Sequence, residues 1–337
     1  MPTPADWEPP YPAFSAAFDP EVRQVVMAYY GCIAPDDANA GAAAFVDWMQ
    51  AARQAPHGPA VVNRARFRDA QGRAQEVFIL YWTAPARFAA WEASEPVASW
   101  WHAPSRLDDA CGYWREVWQP PLSHFETLIS STSPIGIAEA GREIVGPVRA
   151  HAYWGSARDR IPQSASDPLL SPLESVPRQP VSAAGKRLRV ALPANLCLIR
   201  SGQNWTDCGP EELELYEREV YPALRAGMDF LRDNPDETGC LSCRFMDQVA
   251  ADGTPEKKTF ASACFLSLGH LEQWAKSHPT HLKIFGAFHH MVQQRNFAID
   301  LKLWHEVTVL PAGTGTAEYV NCPPDAGFLP YFAAEPF

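Results

Sequence analysis

The residues most capable of chemistry are histidines in the last quarter of the chain. The segment SHPTH at positions 277–281 precedes an apolar, periodic run that continues to Met291. Ser277 or His278 can cap a helix there, and Pro279 suits its first position because the missing N–H would be unpaired anyway. His281 then projects from the edge of the apolar helix face. A neutral imidazole in an apolar wall can bind haem iron, although the pattern alone favours an ordinary half-buried core histidine.

A second histidine, His305, lies in the strand-like segment LWHEV at positions 303–307. Alternation along a strand points its side chain away from Trp304 and Glu306. Arg115 holds the equivalent place in a related segment of the first half. The recurrence of a polar residue predicts that both side chains face inward, toward a barrel. A functional histidine and an exposed strand histidine both fit this pattern.

Hydroxyl, guanidinium and thiol groups supply the remaining candidates. Ser201 follows a buried strand and either faces a cavity or serves a turn. Arg158 and Arg160 stand beside aromatic residues, where they form a surface salt-bridge cluster or bind an oxygen-bearing ligand. Cys240 and Cys243 form a CxxC with no second pair, and Arg244 replaces the histidine that covalent haem attachment requires. We therefore predict that these two thiols lie on a strand and are buried in the protein core.

An internal repeat organises the elements that carry these residues. Residues 112–120 (GYWREVWQP) resemble residues 302–311 (KLWHEVTVLP), and residues 76–101 resemble residues 258–285 in their order of strand, turn and helix. Both halves predict β-α-β-β-α-β, the ferredoxin-like order, whose open sheet face must be buried. We predict an α+β fold of two tandem ferredoxin-like units packed as a pseudo-symmetric barrel-type core. The expected segments are 1–161, a Pro- and Ser-rich linker at 162–186, and 187–337.

Composition limits the partners. The chain has 337 residues, 47% of them hydrophobic, and a formal net charge of −11. That charge disfavours nucleic acid and anionic membranes and favours a small uncharged or cationic molecule. Residues 1–7 show no leader pattern, and the eight cysteines are too sparse for a disulfide scaffold, so a cytoplasmic location is expected. No GxSxG, HExxH, Walker or GxGxxG motif is present.

Several blocks together resemble the aldoxime dehydratase family over most of the chain. The matching blocks, in chain order, are HFETL (124–128), YWGS (153–156), RDR (158–160), LIRSGQ (198–203), HPTH (278–281), HEV (305–307), EY (318–319) and GF (327–328).

The resemblance implies a haem b, held noncovalently between ferredoxin-like halves and active as Fe(II). It makes His281 the proximal iron ligand, with His278 as the alternative. It places His305 on the distal side and makes Ser201 and Arg160 the contacts to the oxime hydroxyl, with Arg158 as the rival arginine. Glu126 corresponds to an acidic residue near the distal side.

The implied reaction converts an aldoxime to a nitrile and water, and His305 acts first as acid and then as base. A homodimer is a further expectation. Two alternatives remain open at this point. One is a haem enzyme of the dimeric α/β-barrel type acting on peroxide or chlorite, in which a distal Arg or Asp is expected instead of a histidine with a serine. The other is a noncatalytic haem-binding or sensing protein.

Overall fold

The computed structural model describes Thr3, residues 6–36 and residues 39–337. Part of the segment in which no leader pattern was found, namely residues 1, 2, 4 and 5, lies outside the described residues. Within them, the strands are β1 (Ser15–Ala17), β2 (Val26–Ala34), β3 (Val61–Arg68), β4 (Ala74–Trp82), β5 (Gly112–Trp118), β6 (Phe125–Ile129), β7 (Glu143–Val145), β8 (Arg187–Val190), β9 (Leu196–Asn204), β10 (Cys240–Val249), β11 (Pro255–Phe265), β12 (Lys302–Leu310), β13 (Gly315–Val320) and β14 (Ala334–Pro336).

The helices of the described residues are α1 (Ala40–Ala52), α2 (Pro85–Glu92), α3 (Glu95–His102), α4 (Ser156–Arg160), α5 (Pro210–Leu215), α6 (Tyr221–Asp233), α7 (Pro235–Thr238), α8 (Leu268–Ser277) and α9 (Pro279–Gln294). A π-helical turn, Tyr216–Val220, joins α5 to α6. Helix starts follow local capping chemistry: the side chains of Asn39 and Ser267 accept N–H bonds at the starts of α1 and α8.

One large antiparallel sheet forms the framework. Its strands are hydrogen-bonded in the order β14-β8-β13-β5-β2-β4-β3-β10-β11-β9-β12-β6. The first half contributes β5-β2-β4-β3 and the second contributes β10-β11-β9-β12, so the halves meet where β3 pairs with β10. One strand of each half crosses over to the other half, since β6 pairs with β12 and β13 pairs with β5. The two halves are therefore joined at three places in the sheet.

The predicted mixture of helices and antiparallel strands is confirmed, but the sheet of the described residues does not close into a barrel. Its ends are β14 and β6, which do not pair with each other. β14 has three residues and contains Pro336, which has no N–H to extend a ladder. The inner faces of the halves still pack together, because one core joins Tyr29 and Tyr81 to Phe260 and Trp304.

Helices cover the outer faces of both halves. Trp91 and Trp101 of α2 and α3 pack on the first half, and Leu231 and Trp274 of α6 and α8 pack on the second. Because the core between the halves covers one face of β2 and helices cover the other, this strand is buried along its whole length. Residues 162–186 have little regular structure but pack on the core through side chains such as Leu169.

The CxxC thiols lie where the sequence places them. Cys240 and Cys243 are both buried on β10, and neither forms a disulfide. The described residues hold no cluster of three or more His, Cys, Asp or Glu side chains arranged for a metal ion. None of the described helices is long and apolar enough to cross a bilayer.

Candidate active site

Three adjacent strands place the predicted polar residues on one face of the sheet. Ser201 on β9 lies directly opposite His305 on β12, and Glu126 on β6 lies opposite Val307. Residues two apart on a strand share a face, so Glu126 is the diagonal neighbour of His305. This face is the helix-covered one, since Val307 belongs to the core under α6 and α8.

The direction of His305 confirms one expectation and corrects another. Trp304 and Glu306 point into the core between the halves, and His305 points away from them as alternation predicts. The prediction that His305 and Arg115 face inward is wrong. His305 faces the helices, and Arg115 packs against Trp101 of α3. Both faces of these strands are covered, so alternation alone does not identify the inner one.

Arg160 reaches the same face from α4. This five-residue helix starts after Gly155, whose φ of 94° favours glycine. Arg160 donates from Nε to Glu126 Oε2 at 2.7 Å and from Nη2 to Oε1 at 3.2 Å. A third bond runs from Nη1 to the Ala150 carbonyl at 2.6 Å. The bidentate fork fixes the arginine in one orientation, because both carboxylate oxygens are engaged.

His305 completes this cluster through Nε2. That atom lies 3.0 Å from Glu126 Oε1 and 2.9 Å from Arg160 Nη2. A guanidinium only donates, so Arg160 pairs with Nε2 when the nitrogen carries a free lone pair. A carboxylate only accepts, so Glu126 pairs with Nε2 when it carries a proton. Both protonation states of the imidazole therefore have a partner in place.

The carboxyl of Glu126 is ionised in this setting. Its side chain is 1% exposed. Burial by itself would raise the pKa of the carboxyl, but Arg160 and His305 stabilise the carboxylate more strongly and lower its pKa to about 2. A fixed negative charge therefore lies beside His305 at neutral pH.

Ser201 lies within β9, three residues before its end, and not at a strand terminus as predicted. Its Oγ lies 3.4 Å from the Trp304 carbonyl, which is a long hydrogen bond. A hydroxyl both donates and accepts, so Ser201 keeps capacity for another partner on the face of His305.

His281 lies on α9, apart from the strands that hold His305 and Ser201. Its ring stands between Trp274, with centroids 4.7 Å apart, and Trp154, at 5.9 Å. The Nδ1 atom is buried without a hydrogen-bond partner among the described residues. Burial lowers the pKa of His281, and the Ala275 carbonyl offsets part of that effect. A neutral imidazole with an unused buried nitrogen fits the role of a metal ligand.

His278, the other candidate ligand, has both ring nitrogens engaged. As predicted, it caps α9, and Pro279 takes the first helical position. Nδ1 lies 2.8 Å from Thr280 Oγ1, and Nε2 lies 2.9 Å from Glu237 Oε1. This geometry favours His281 over His278, because binding of a metal by His278 would break a cap or an ion pair.

The surroundings of His281 suit a planar apolar group. Trp154, Leu282 and Phe285 are 47%, 43% and 44% exposed, which is unusual for side chains of this size. Trp154 packs against Phe285 as well as His281. Trp154 and Phe285 thus form an exposed apolar surface beside the His281 ring, so the donor and its walls fit a haem.

The two candidate arginines have different partners. Arg160 binds Glu126 and His305, whereas Arg158 binds Glu272 on α8. Sequence reasoning missed Glu272 and the rings of Trp154 and Trp274 as walls of the site. No local signal marks Glu272 and Trp154, because each meets a partner more than one hundred positions away, Arg158 and His281 respectively. Trp274 lies seven positions before His281, on the preceding helix.

Known proteins resemble this chain over most of its length. The model of the haem-containing dehydratase family matches residues 28–328. A phenylacetaldoxime dehydratase of Bacillus sp. (strain OxB-1) is 39% identical, over 98% of this chain and 94% of the relative. An aliphatic aldoxime dehydratase of Rhodococcus erythropolis is 36% identical, over 97% and 92%.

Solved structures give the same result. A crystal structure of an aldoxime dehydratase in complex with butyraldoxime superposes with a TM-score of 0.91 and 35% identity, over 98% of this chain and 92% of the other. The family resemblance and haem as the cofactor, both expected from the motifs, are thereby confirmed. The chain belongs to the haem-containing dehydratase family.

Proposed function

We propose that this chain removes water from aldoximes, R–CH=N–OH, to give nitriles, R–C≡N. Relatives named for phenylacetaldoxime and aliphatic aldoximes support the substrate class. The observation that carries the chemistry is the cluster of His305, Glu126 and Arg160 on the face that also holds Ser201. Loss of water needs a proton for the departing oxygen and a base for the carbon-bound proton, and this cluster supplies a group for both.

His281 would hold the haem through its imidazole, with Trp154, Phe285 and Leu282 against the apolar surface of the group. When bound, the haem would supply a ferrous iron, whose chemistry would weaken the N–O bond of the oxime. Side chains of the protein carry out all the proton transfers.

His305 acts as acid and then as base. Its Nε2 proton passes to the oxime hydroxyl, and the N–O bond breaks as water leaves. The Nε2 lone pair then takes the proton from carbon as the C–N triple bond forms, so the imidazole returns to its starting state. Glu126 stabilises the protonated imidazole and Arg160 the neutral one, which supports a single residue in both roles. Ser201 orients the hydroxyl toward His305.

The function is tested by incubating the haem-loaded, dithionite-reduced protein with aryl and alkyl aldoximes without oxygen. We expect the matching nitrile to accumulate, as measured by gas chromatography, and the air-oxidised protein to be much slower. Peroxide-dependent oxidation of a dye, with no nitrile from any aldoxime, would instead favour the peroxidase-type alternative.

Replacing Ser201 by alanine should leave haem bound and lower kcat/KM for aldoxime by about 10- to 100-fold, the effect of losing one hydrogen bond to the reacting group. The matched control is Ser242→Ala, a strand serine on β10, whose kinetics should equal those of the native chain. Steady-state rates and the ferrous absorption spectrum check both. Unchanged kinetics in Ser201→Ala would remove the serine from the mechanism.

Unfolding at low pH should reveal how much the buried carboxylate of Glu126 contributes to the free energy of unfolding. The folded pKa of Glu126 is about 2, below its ordinary value of 4.5. The ionised group therefore stabilises the fold fully above about pH 4.5, and this contribution disappears as the pH falls toward 2. The gap in unfolding free energy between the native chain and Glu126→Gln should be largest above pH 4.5 and narrow below it. Denaturant titrations at several pH values measure it, and the exposed Glu95→Gln serves as the control.

We further propose that residues 1–161 and 187–337 are two tandem ferredoxin-like halves joined by 162–186. The strand orders β5-β2-β4-β3 and β10-β11-β9-β12 support this assignment, because both follow the order 4-1-3-2 of that unit when read from the appropriate end.

A homodimer and a cytoplasmic location complete the proposal. The second is supported by eight cysteines without a disulfide, all in the described part of the chain. Light scattering of the holoprotein tests the first.

A further inference from the structure

The short helix α4 carries two arginines that bind opposite sides of the candidate site. Arg160 binds Glu126 and His305 on the sheet. Arg158, two residues earlier, forms a bidentate pair with Glu272 on α8, with Nε to Oε1 at 3.0 Å and Nη2 to Oε2 at 2.7 Å. Its Nη1 also donates to the Pro168 carbonyl at 2.9 Å. All three nitrogens of Arg158 thus hold other parts of the protein.

Helix α4 needs such contacts because it cannot persist alone. It has five residues and begins after a left-handed glycine, whereas isolated helices shorter than about 12 residues are marginal in water. Its position therefore depends on side-chain anchors. Ile161 is fully buried behind it, and the Arg158–Glu272 pair is the anchor that ties it to another helix.

Glu272 links this anchor to the histidine side of the site. Two residues after Glu272, Trp274 packs against the ring of His281. Helix α8 ends at Ser277, and the next residue, His278, already caps α9. One ion pair thus joins the segment that presents Arg160 to the helix that flanks His281.

We propose that Arg158 and Glu272 are positioning residues, which together hold Arg160 and His281 in fixed relation across the haem site. Both side chains are about one quarter exposed or less, at 21% and 24%, and the planar fork permits one orientation. The catalytic consequence rests on the proposed function. The effect on α4 and on haem retention does not depend on it.

The experiment compares Arg158→Met, Glu272→Gln, the conservative Arg158→Lys and the charge swap R158E/E272R in the full chain. The matched control is Arg178→Met, which breaks a different ion pair, that of Arg178 in residues 162–186 with Asp236 on α7. Hydrogen exchange of residues 151–161 is measured on the haem-free chain. Haem transfer to a large excess of apomyoglobin and aldoxime kinetics are measured on the holoprotein.

We expect both single neutral variants to raise exchange of residues 151–161, to speed haem transfer about 3- to 10-fold and to lower kcat/KM by about 5- to 10-fold. Arg158→Lys should keep only part of the native haem retention, because an ammonium lacks the planar fork of a guanidinium. The charge swap R158E/E272R should recover more than half of the haem retention that the single neutral variants lose. Arg178→Met should match the native chain.

Two results would overturn the proposal. If Arg158→Met abolished turnover while Glu272→Gln changed nothing, Arg158 would be acting on the substrate. If neither variant altered exchange or haem transfer, the pair would carry no positional role. A native chain that makes no nitrile would remove the proposed function, yet the exchange and haem-transfer measurements would still decide the role of the pair.

Discussion

Replacing His305 by alanine is expected to leave haem bound and to lower nitrile formation by about two to four orders of magnitude, the usual contribution of a positioned acid-base group. The two charged side chains that contact it, Arg160 and Glu126, cannot replace it. A guanidinium is too weak an acid to supply the proton, and the pKa of Glu126 is too low for the carboxyl to act as an acid at neutral pH. The variant should still bind aldoxime to the ferrous protein, so binding and chemistry separate.

Two measurements make this result specific. The absorption change on adding aldoxime to the reduced variant reports binding, and single-turnover nitrile yield reports the chemical step. His290→Ala is the control, because His290 is an exposed histidine of α9 that pairs with Glu219 and not with this cluster. If His305→Ala formed nitrile at nearly the native rate, or purified without haem, the proton donor would have been assigned to the wrong residue.

The sequence predicted the elements of this site better than their mutual arrangement. The helix that begins after His278 and the strand that contains His305 follow from capping residues and alternation, which act over a few residues. The repeat between residues 112–120 and 302–311 also predicted equivalent strands, and β5 and β12 occupy equivalent places in the two sheet segments.

The sequence did not predict which face of each strand lies toward the helices, nor which strands pair across the two halves. Strands β5 and β12 are covered on both sides, so the direction of Arg115 and His305 depends on which layer is helical. The crossing of β6 to β12 and of β13 to β5 depends on pairing between residues far apart in sequence. The hydrophobic periodicity of a segment does not indicate which distant strand it pairs with. Glu126 therefore reached the list of candidates through family resemblance, and only the cross-strand register explains its closeness to His305.

The pairing of Arg160 with Glu126 also shows why single motifs were ambiguous. In sequence, Arg158, Asp159 and Arg160 have the composition of an ordinary surface cluster. In the structure, Arg158 and Arg160 bind carboxylates on different elements, Glu272 and Glu126. A buried carboxylate held by a bidentate arginine is costly to break from one side, since the partner then remains as an unpaired buried charge. Arg160 variants are therefore expected to lose stability as well as activity.

Replacing His281 by alanine is expected to remove most of the Soret absorbance from the purified protein, because its imidazole is the proposed protein bond to iron. The buried Nδ1 has no partner among the described residues, and burial keeps the ring neutral by lowering its pKa. The substitution removes the contact of the ring with the Ala275 carbonyl but leaves the secondary structure around it in place, so the circular dichroism of the variant should stay native. Haem loss with an intact fold would then report ligation and not unfolding.

The neighbouring His278 provides the matched comparison, since it lies on the same turn but is tied to Thr280 and Glu237. His278→Ala should keep its haem and instead lose about 1 kcal/mol of stability with its cap. Added imidazole should restore the Soret band of His281→Ala by entering the space the side chain leaves, and should do nothing for His278→Ala. Full haem retention in His281→Ala together with haem loss in His278→Ala would exchange the two assignments, because only the residue bonded to iron can be replaced by free imidazole.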